Sequence, residues 1–131
     1  MQKKSAQVGG EYFEQYHARH PDAGASLALP AIVGLPAVIV VSGVLDSETA
    51  PDFFEAATAT LSGLPAGSAL ELRLEGVQFI SSTGVGALTR LLAAAQGLGI
   101  TMRISDVSPA CEDVFTVLGL LRYFNIPGMD S

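Results

Sequence analysis

Three consecutive hydroxyl residues, Ser81, Ser82 and Thr83, are the side chains of this sequence with the clearest chemical potential. A helical pattern follows them directly, because apolar residues recur at three- and four-residue spacing from Val85 to Ala95. Ser82 or Thr83 is therefore the predicted N-cap, whose side-chain oxygen accepts a backbone N–H that would otherwise be unpaired. The helix macrodipole also favours negative charge at that end, so a phosphate carried here would be stabilised.

The elements that position these hydroxyls alternate between strands and helices. We predict strands at 27–33, 37–42, 69–74, 100–104 and 123–126, and helices that begin near 46–48, 82–83 and 108–109. Gly43 should end the second strand, and Glu75 with Gly76 should turn the chain after the third. Such alternation implies right-handed crossovers and parallel strands, while the first two strands form an antiparallel pair. The predicted fold class is α/β, with a mixed, mostly parallel sheet, an antiparallel edge strand and helices packed on it.

Residues 1–25 are predicted to be an N-terminal extension, and residues 26–131 the domain. Tyr12, Phe13 and Tyr16 can line one side of a short helix that docks on the domain or on a partner. His17 and His20 lie one helical turn apart, but two ligands without a third or fourth seldom define a metal site. We expect solvated histidines, no metal and no cofactor.

Composition restricts the class of partner. The chain has 131 residues, which suits one domain, and its net charge of −6 argues against binding to nucleic acid. Cys111 is the only cysteine, so no intramolecular disulfide can form, which suits a reducing cytoplasm. The uncharged stretch between Asp22 and Asp46 is divided by Pro30 and Pro36, and no apolar region follows the N-terminus. We therefore expect a cytoplasmic protein without a signal peptide or membrane insertion.

Three enzyme classes can be tested against the residues around Ser82. A serine hydrolase needs a Gly two residues before the nucleophile, where this chain has Ile80, and both histidines precede the first predicted strand. Gly84 and Gly86 form only half of a dinucleotide fingerprint, because Thr89 occupies the position of the third glycine. No Gly-Lys pair exists to build a P-loop. We expect no enzymatic activity.

Residues 77–86, together with residues 43–46 upstream and 118–124 downstream, resemble the STAS domain family, most closely its anti-sigma factor antagonists. The resemblance covers residues 26–126, and STAS domains share the predicted α/β architecture. The family's central motif usually reads Phe, Ile or Leu, then Asp, Ser, Ser or Thr, Gly, Leu, Gly. Its phosphorylated switch is the hydroxyl just after the Asp, and this position falls on Ser82. Two positions where the family usually has Asp hold Ser81 and Arg73 here.

The resemblance implies a regulatory protein whose partner is a serine kinase that also holds a sigma factor. Ser82 is the first choice for the phosphoacceptor, Thr83 the second and Ser81 the third. The implied partner-binding residues are Asp46, Ser81, Ser82, Thr83, Gly84, Val85 and Arg90. Asp46 matches the family's Gly, any, Leu, Asp turn, and a helix-capping role is the alternative.

The helix that follows Ser82 has a weakly charged outward side. Arg90 is the only charged residue between Glu75 and Arg103, and the other outward residues include Thr89, Ala93, Ala94 and Gln96. Such a surface suits docking, unless it is packed or covered by the N-terminal segment. The same surface suits two other roles: a small STAS subunit on the ATPase of a lipid-transporting ABC system, or a ligand-sensing scaffold.

Overall fold

The computed structural model describes residues 2–30, 32 and 34–120, with side chains from residue 11 onward. The elements are α1 Gln2–Arg19, β1 Ala23–Ala28, β2 Ala37–Leu45, α2 Ala50–Ser62, β3 Ala69–Ile80, α3 Ser82–Gly97, β4 Thr101–Ser105 and α4 Pro109–Leu118. The sheet order is β1-β2-β3-β4. β1 is antiparallel to β2, and the β2–β3 and β3–β4 pairs are parallel. The mixed sheet with an antiparallel edge strand is therefore confirmed, while the strand expected at 123–126 lies outside the described residues.

The two faces of the sheet differ in chemistry because side chains alternate along each strand. Ile39, Leu72 and Ile104 are fully buried and join the helices in one hydrophobic core. Arg73 and Arg103 are exposed on the opposite face. The helices thus cover one face of the sheet, and none of the described helices is long and apolar enough to cross a membrane.

β2 and β3 run further than the sequence predicted, because their glycines lie within the strands. Gly43 has a φ of 79° and sits where the register between β2 and β3 shifts. A side chain there would collide with the carbonyl of Asp22, whose oxygen accepts the N–H of Val44 at 3.1 Å. Gly76 pairs with Ser42 instead of turning the chain. Arg73, expected near the end of its strand, consequently lies in the middle of β3.

β1 was predicted at 27–33 but begins at Ala23, directly after a turn in which the Ala23 N–H donates to the His20 carbonyl at 2.9 Å. Residues 23–25, placed by sequence in the N-terminal extension, thus belong to the sheet. A run of small residues without clear alternation concealed the start of this strand.

The helix predicted around the N-terminal aromatic residues is present as α1, and it packs against β1 and α2. Phe13 and Tyr16 are buried, with their ring centroids 6.2 Å and 5.9 Å from that of Phe53 in α2. The Tyr16 hydroxyl is buried with them, and this burial raises its pKa to about 12. α1 thus contributes large side chains to the hydrophobic core.

Both histidines hydrogen-bond to the domain; His17 remains exposed to solvent, as expected, whereas His20 is partly buried. His17 Nδ1 donates to the Ala23 carbonyl at 2.6 Å, and His20 Nε2 donates to Asp52 Oδ2 at 2.8 Å. Arg19 lies 3.5 Å from the same carboxylate. The His17 contact ties the end of α1 to β1, and the two Asp52 contacts tie it to the first turn of α2. No group of three metal-ligating side chains occurs within the described ranges.

The Asp52 contacts give a prediction for pH dependence. The hydrogen bond from His20, assisted by the Arg19 charge, lowers the pKa of Asp52 below its ordinary value. A depressed carboxyl pKa contributes stability above the unfolded pKa of about 4, and that contribution is lost as pH falls through the folded pKa. We expect Asp52→Asn to lower the melting temperature at pH 7, and the difference from wild type to shrink below about pH 4. Thermal unfolding from pH 7 to 3 measures it, with the exposed Glu14→Gln as control. A difference that is constant across this range would contradict the prediction.

Candidate functional site

The hydroxyl segment lies at the carboxyl edge of the parallel strands, the edge at which open α/β sheets usually bind ligands. Ile80, the last residue of β3, pairs with Leu45, the last residue of β2. The next residue continues this contact, because the Ser81 N–H donates to the Leu45 carbonyl at 3.0 Å. The topology therefore brings Asp46, which follows β2, beside the start of α3.

Ser81 is the N-cap of α3, so the prediction of Ser82 or Thr83 is wrong by one or two residues. Ser81 has extended backbone angles, φ −98° and ψ 175°, and its Oγ accepts the N–H of Gly84 at 3.2 Å. Its carbonyl also accepts the N–H of Val85 at 2.9 Å. All three consecutive residues have cap-forming side chains, and the backbone conformation selects the first of them.

The position of the cap places Ser82 and Thr83 in the first helical turn. Both side chains are exposed, whereas Ser81 is only partly exposed. Neither hydroxyl of Ser82 or Thr83 bonds to another residue in the part of the chain that is described. These two oxygens are therefore accessible at the positive end of the helix dipole.

Gly84 and Val85 are buried and serve the packing of α3. A side chain on Gly84 would collide with the carbonyl oxygen of Leu45 and crowd Ile80. The absence of a Cβ thus lets α3 approach the end of β2. Because both residues face inward, we do not propose them as contacts for a partner.

Asp46 organises the loop between β2 and α2. Its Oδ1 accepts the backbone N–H of Glu48 at 3.0 Å and of Thr49 at 3.1 Å, and these bonds lower the pKa of the carboxyl, the bond from Thr49 most. Its own N–H donates to Thr49 Oγ1 at 2.9 Å. The N-cap position of α2 is Thr49, which makes no side-chain cap bond. Asp46 therefore acts as the acceptor for this turn, and its partly exposed carboxylate remains charged at neutral pH.

Arg90 and Phe54 form a contact between α3 and α2. The Arg90 guanidinium carbon lies 4.7 Å from the centroid of the Phe54 ring. Arg90 is exposed, and no carboxylate of the described residues lies within ion-pair distance of it. Ala93 and Gln96 on the same helix are also exposed. Since α1 lies against β1 and α2, it leaves this side of α3 uncovered.

Phe79 is an exposed aromatic residue beside the hydroxyl segment that the sequence analysis did not single out. Its side chain is 53% exposed, two residues before the cap. The burial alternation of β3 breaks here, because Gln78 and Phe79 are both exposed between the buried Val77 and Ile80. The pairing register between β2 and β3 also shifts at this end of the two strands, between Gly43 and Val44. The pattern of residue types does not predict this shift, so it does not predict the exposure of Phe79.

The role of Ser81 as a cap can be tested by stability. We expect Ser81→Ala to lower the free energy of unfolding by about 1 kcal/mol, because the Gly84 N–H loses its acceptor. Ser81→Asp should retain the cap, since a carboxylate also accepts this bond and suits the helix dipole. Chemical denaturation measures both variants, with Ser82→Ala as the matched control. Equal losses for Ser81→Ala and Ser82→Ala would contradict the assignment.

The comparisons with known proteins agree on the fold. A family model described as "Mlab, STAS domain" matches residues 30–126. No curated protein sequence matches the chain. Among solved structures, an anti-sigma factor antagonist from Mycobacterium paratuberculosis is 28% identical, with a TM-score of 0.62, and the match covers 84% of this chain and 91% of that one.

Two more distant structures show the fold alone. The anti-sigma factor antagonist SpoIIAA in its unphosphorylated form is 17% identical, with a TM-score of 0.60 over 79% of this chain and 90% of that one. The STAS domain of a SulP transporter from Vibrio cholerae is 19% identical, with a TM-score of 0.55 over 88% of this chain and 85% of that one.

Proposed function

The chain belongs to the STAS domain family, and from this premise we propose that it is a regulatory binding protein of the anti-sigma factor antagonist type. Phosphorylation of Ser82 switches its affinity for a protein partner. The partner is a serine kinase that also holds a sigma factor, and binding of the unmodified protein frees the sigma factor. The observation that carries this proposal is the exposed Ser82 hydroxyl in the first turn of α3, which bonds to none of the described residues.

Exposure and hydrogen bonding support the same order of the three hydroxyls as phosphoacceptors. Ser82 is exposed and its oxygen has no structural task among the described residues. Thr83 is exposed as well and remains the second choice. Ser81 is third, because its oxygen accepts the Gly84 N–H and phosphorylation would compete with the cap.

The contact surface comprises Asp46, Phe79, Ser82, Thr83 and Arg90. A phosphoryl group on Ser82 adds about −1.5 to −2 charges at pH 7. The helix N-terminus accommodates that charge within the domain, so the fold persists. A partner, by contrast, must desolvate the phosphate or place its own groups against it, and binding weakens. In this proposal the protein switches a partner and catalyses no reaction.

A second candidate function is a small STAS subunit that regulates the ATPase of a lipid-transporting ABC system. The observation that favours it is the weakly charged, exposed side of α3 around Ala93 and Gln96, which suits docking on another protein. Here the hydroxyls of Ser82 and Thr83 act as contact residues without being modified.

Affinity capture from host lysate tests both functions. Tagged wild-type protein and the Ser82→Asp variant are used as baits, and mass spectrometry identifies the bound proteins and the phosphorylated residues. A serine kinase on the wild type but not on the variant, with phosphate on Ser82, supports the switch. A transporter ATPase with unmodified Ser82 supports the second function. Recovery of neither protein overturns both.

A further inference from the structure

Gly86 occupies a position in α3 where the fold does not require glycine. It lies within the helix Ser82–Gly97, where glycine is less favourable than alanine because it loses more backbone freedom on folding. A Cβ added to Gly86 would meet no atom of the described residues within 4 Å. Gly84, two residues earlier, is different, since a side chain there would collide with the Leu45 carbonyl. A side chain at Gly86 would therefore point into open space at the surface of the domain, whereas one at Gly84 would point into the domain.

Arg90, one helical turn after Gly86, offers an oriented positive charge. Its guanidinium lies over the Phe54 ring, an arrangement that restrains the side chain and leaves N–H groups at the edge of the plane available. No carboxylate of the described residues pairs with it. A carboxylate is the complementary group for such an edge, which it can bind through two parallel hydrogen bonds.

Thr83, Gly86 and Arg90 follow one another at three- and four-residue spacing, so they share one face of α3. Thr83 and Arg90 are exposed, and Gly86 between them is partly exposed. We call these three residues, with Phe54 beneath Arg90, the α3 strip. The strip has a gap at Gly86 and a positive charge on one side of the gap.

We propose that the α3 strip receives an acidic helix of the protein partner, whose backbone crosses α3 over Gly86 and whose carboxylate pairs with Arg90. This proposal rests on the proposed function and names the chemistry of its contact. A helix fits because packed helices place the ridges of one into the grooves of the other, and a glycine at the crossing allows closer approach. Arg90 has no carboxylate partner among the described residues, and its charge selects an acidic partner because opposite charges across an interface favour the correct pairing.

The other anion that Arg90 could bind is a phosphate on Ser82 of the same chain. Ser82 precedes Arg90 by eight residues, which corresponds to about 12 Å along the helix axis. The Arg90 guanidinium is also held over the Phe54 ring of α2. The partner's carboxylate is therefore the better match, and the experiment separates the two anions.

The experiment uses the partner protein that the wild type captures from lysate. The partner is purified, and calorimetric titration measures its affinity for variants of the full chain. We expect Gly86→Ala to weaken binding at least about tenfold while raising the melting temperature, because the same methyl group favours the helix and obstructs the partner. Gly97→Ala is the matched control, since a Cβ there also meets no atom within 4 Å. It should leave the affinity unchanged. Arg90→Gln should weaken binding about fivefold or more, and Arg90→Lys should recover only part of this loss.

Several results would overturn the proposal. If Gly86→Ala binds the partner as tightly as wild type, the partner does not approach α3 closely at Gly86. If this variant has a lower melting temperature than wild type, the glycine is required by the fold. If Arg90→Gln changes only the affinity of protein phosphorylated on Ser82, Arg90 binds the phosphate. The proposed function is tested by a different variant: it is contradicted if Ser82→Asp binds the partner as tightly as wild type. Failure of the wild type to capture any partner would overturn both.

Discussion

Replacing Ser82 with Asp is expected to weaken binding of the protein partner by at least about tenfold, because it places a charge in a contact surface that otherwise has an exposed hydroxyl there. Ser82→Ala removes the hydroxyl without adding charge, so it should weaken binding much less. Calorimetric titration with the partner recovered by capture measures both affinities. Phosphorylated protein should bind more weakly than Ser82→Asp, since a phosphoryl group carries more charge than a carboxylate.

Two controls separate the switch from unrelated effects. Ser26→Asp adds the same charge to an exposed serine of β1 and should leave the affinity unchanged. Thermal unfolding of the Ser82 variants should remain close to wild type, because the cap bond belongs to Ser81. Equal affinities for Ser82→Asp and Ser82→Ala, with both folded, would exclude a charge switch at this residue.

Replacing Phe13 with Ala is expected to lower the free energy of unfolding by about 3 to 5 kcal/mol, the usual loss for a buried aromatic residue. Phe13 is 1% exposed, and its ring stacks on that of Phe53. Tyr12→Ala is the matched control, since the neighbouring ring is 37% exposed and should contribute much less. Chemical denaturation followed by both circular dichroism and tyrosine fluorescence measures the change.

The Phe13 experiment also tests whether residues 1–25 form a separate extension. The packing of α1 on α2 predicts one cooperative transition that shifts as a whole in Phe13→Ala. If only a small loss of helix signal occurs while the main transition stays in place, α1 unfolds independently of the domain. The predicted boundary at residue 25 would then roughly separate two parts of the chain that unfold independently, even though β1 already begins at Ala23.

Local patterns were sufficient for most elements because their physical causes are local. The three- and four-residue spacing of apolar residues from Val85 to Ala95 predicted α3, and these residues are buried. Ser108 followed by Pro109 predicted the start of α4, where the Ser108 Oγ accepts the Cys111 N–H at 3.2 Å. The alternation of strands and helices likewise predicted the mixed sheet, since few connections between such elements are sterically favourable.

By itself, the sequence determined the α/β fold class, the start of a helix within the hydroxyl segment and the low charge of the surface beside it, because each depends on residue types at short spacing. The tertiary structure alone decided which hydroxyl caps the helix, since Ser81 is held extended by its bond to Leu45 of a neighbouring strand. It likewise decided that glycines at 43 and 76 continue their strands, that α1 joins the core, and that Gly84 faces inward whereas a side chain at Gly86 would face open space. These features depend on contacts between residues distant in the chain, and such contacts exist only once the sheet has assembled.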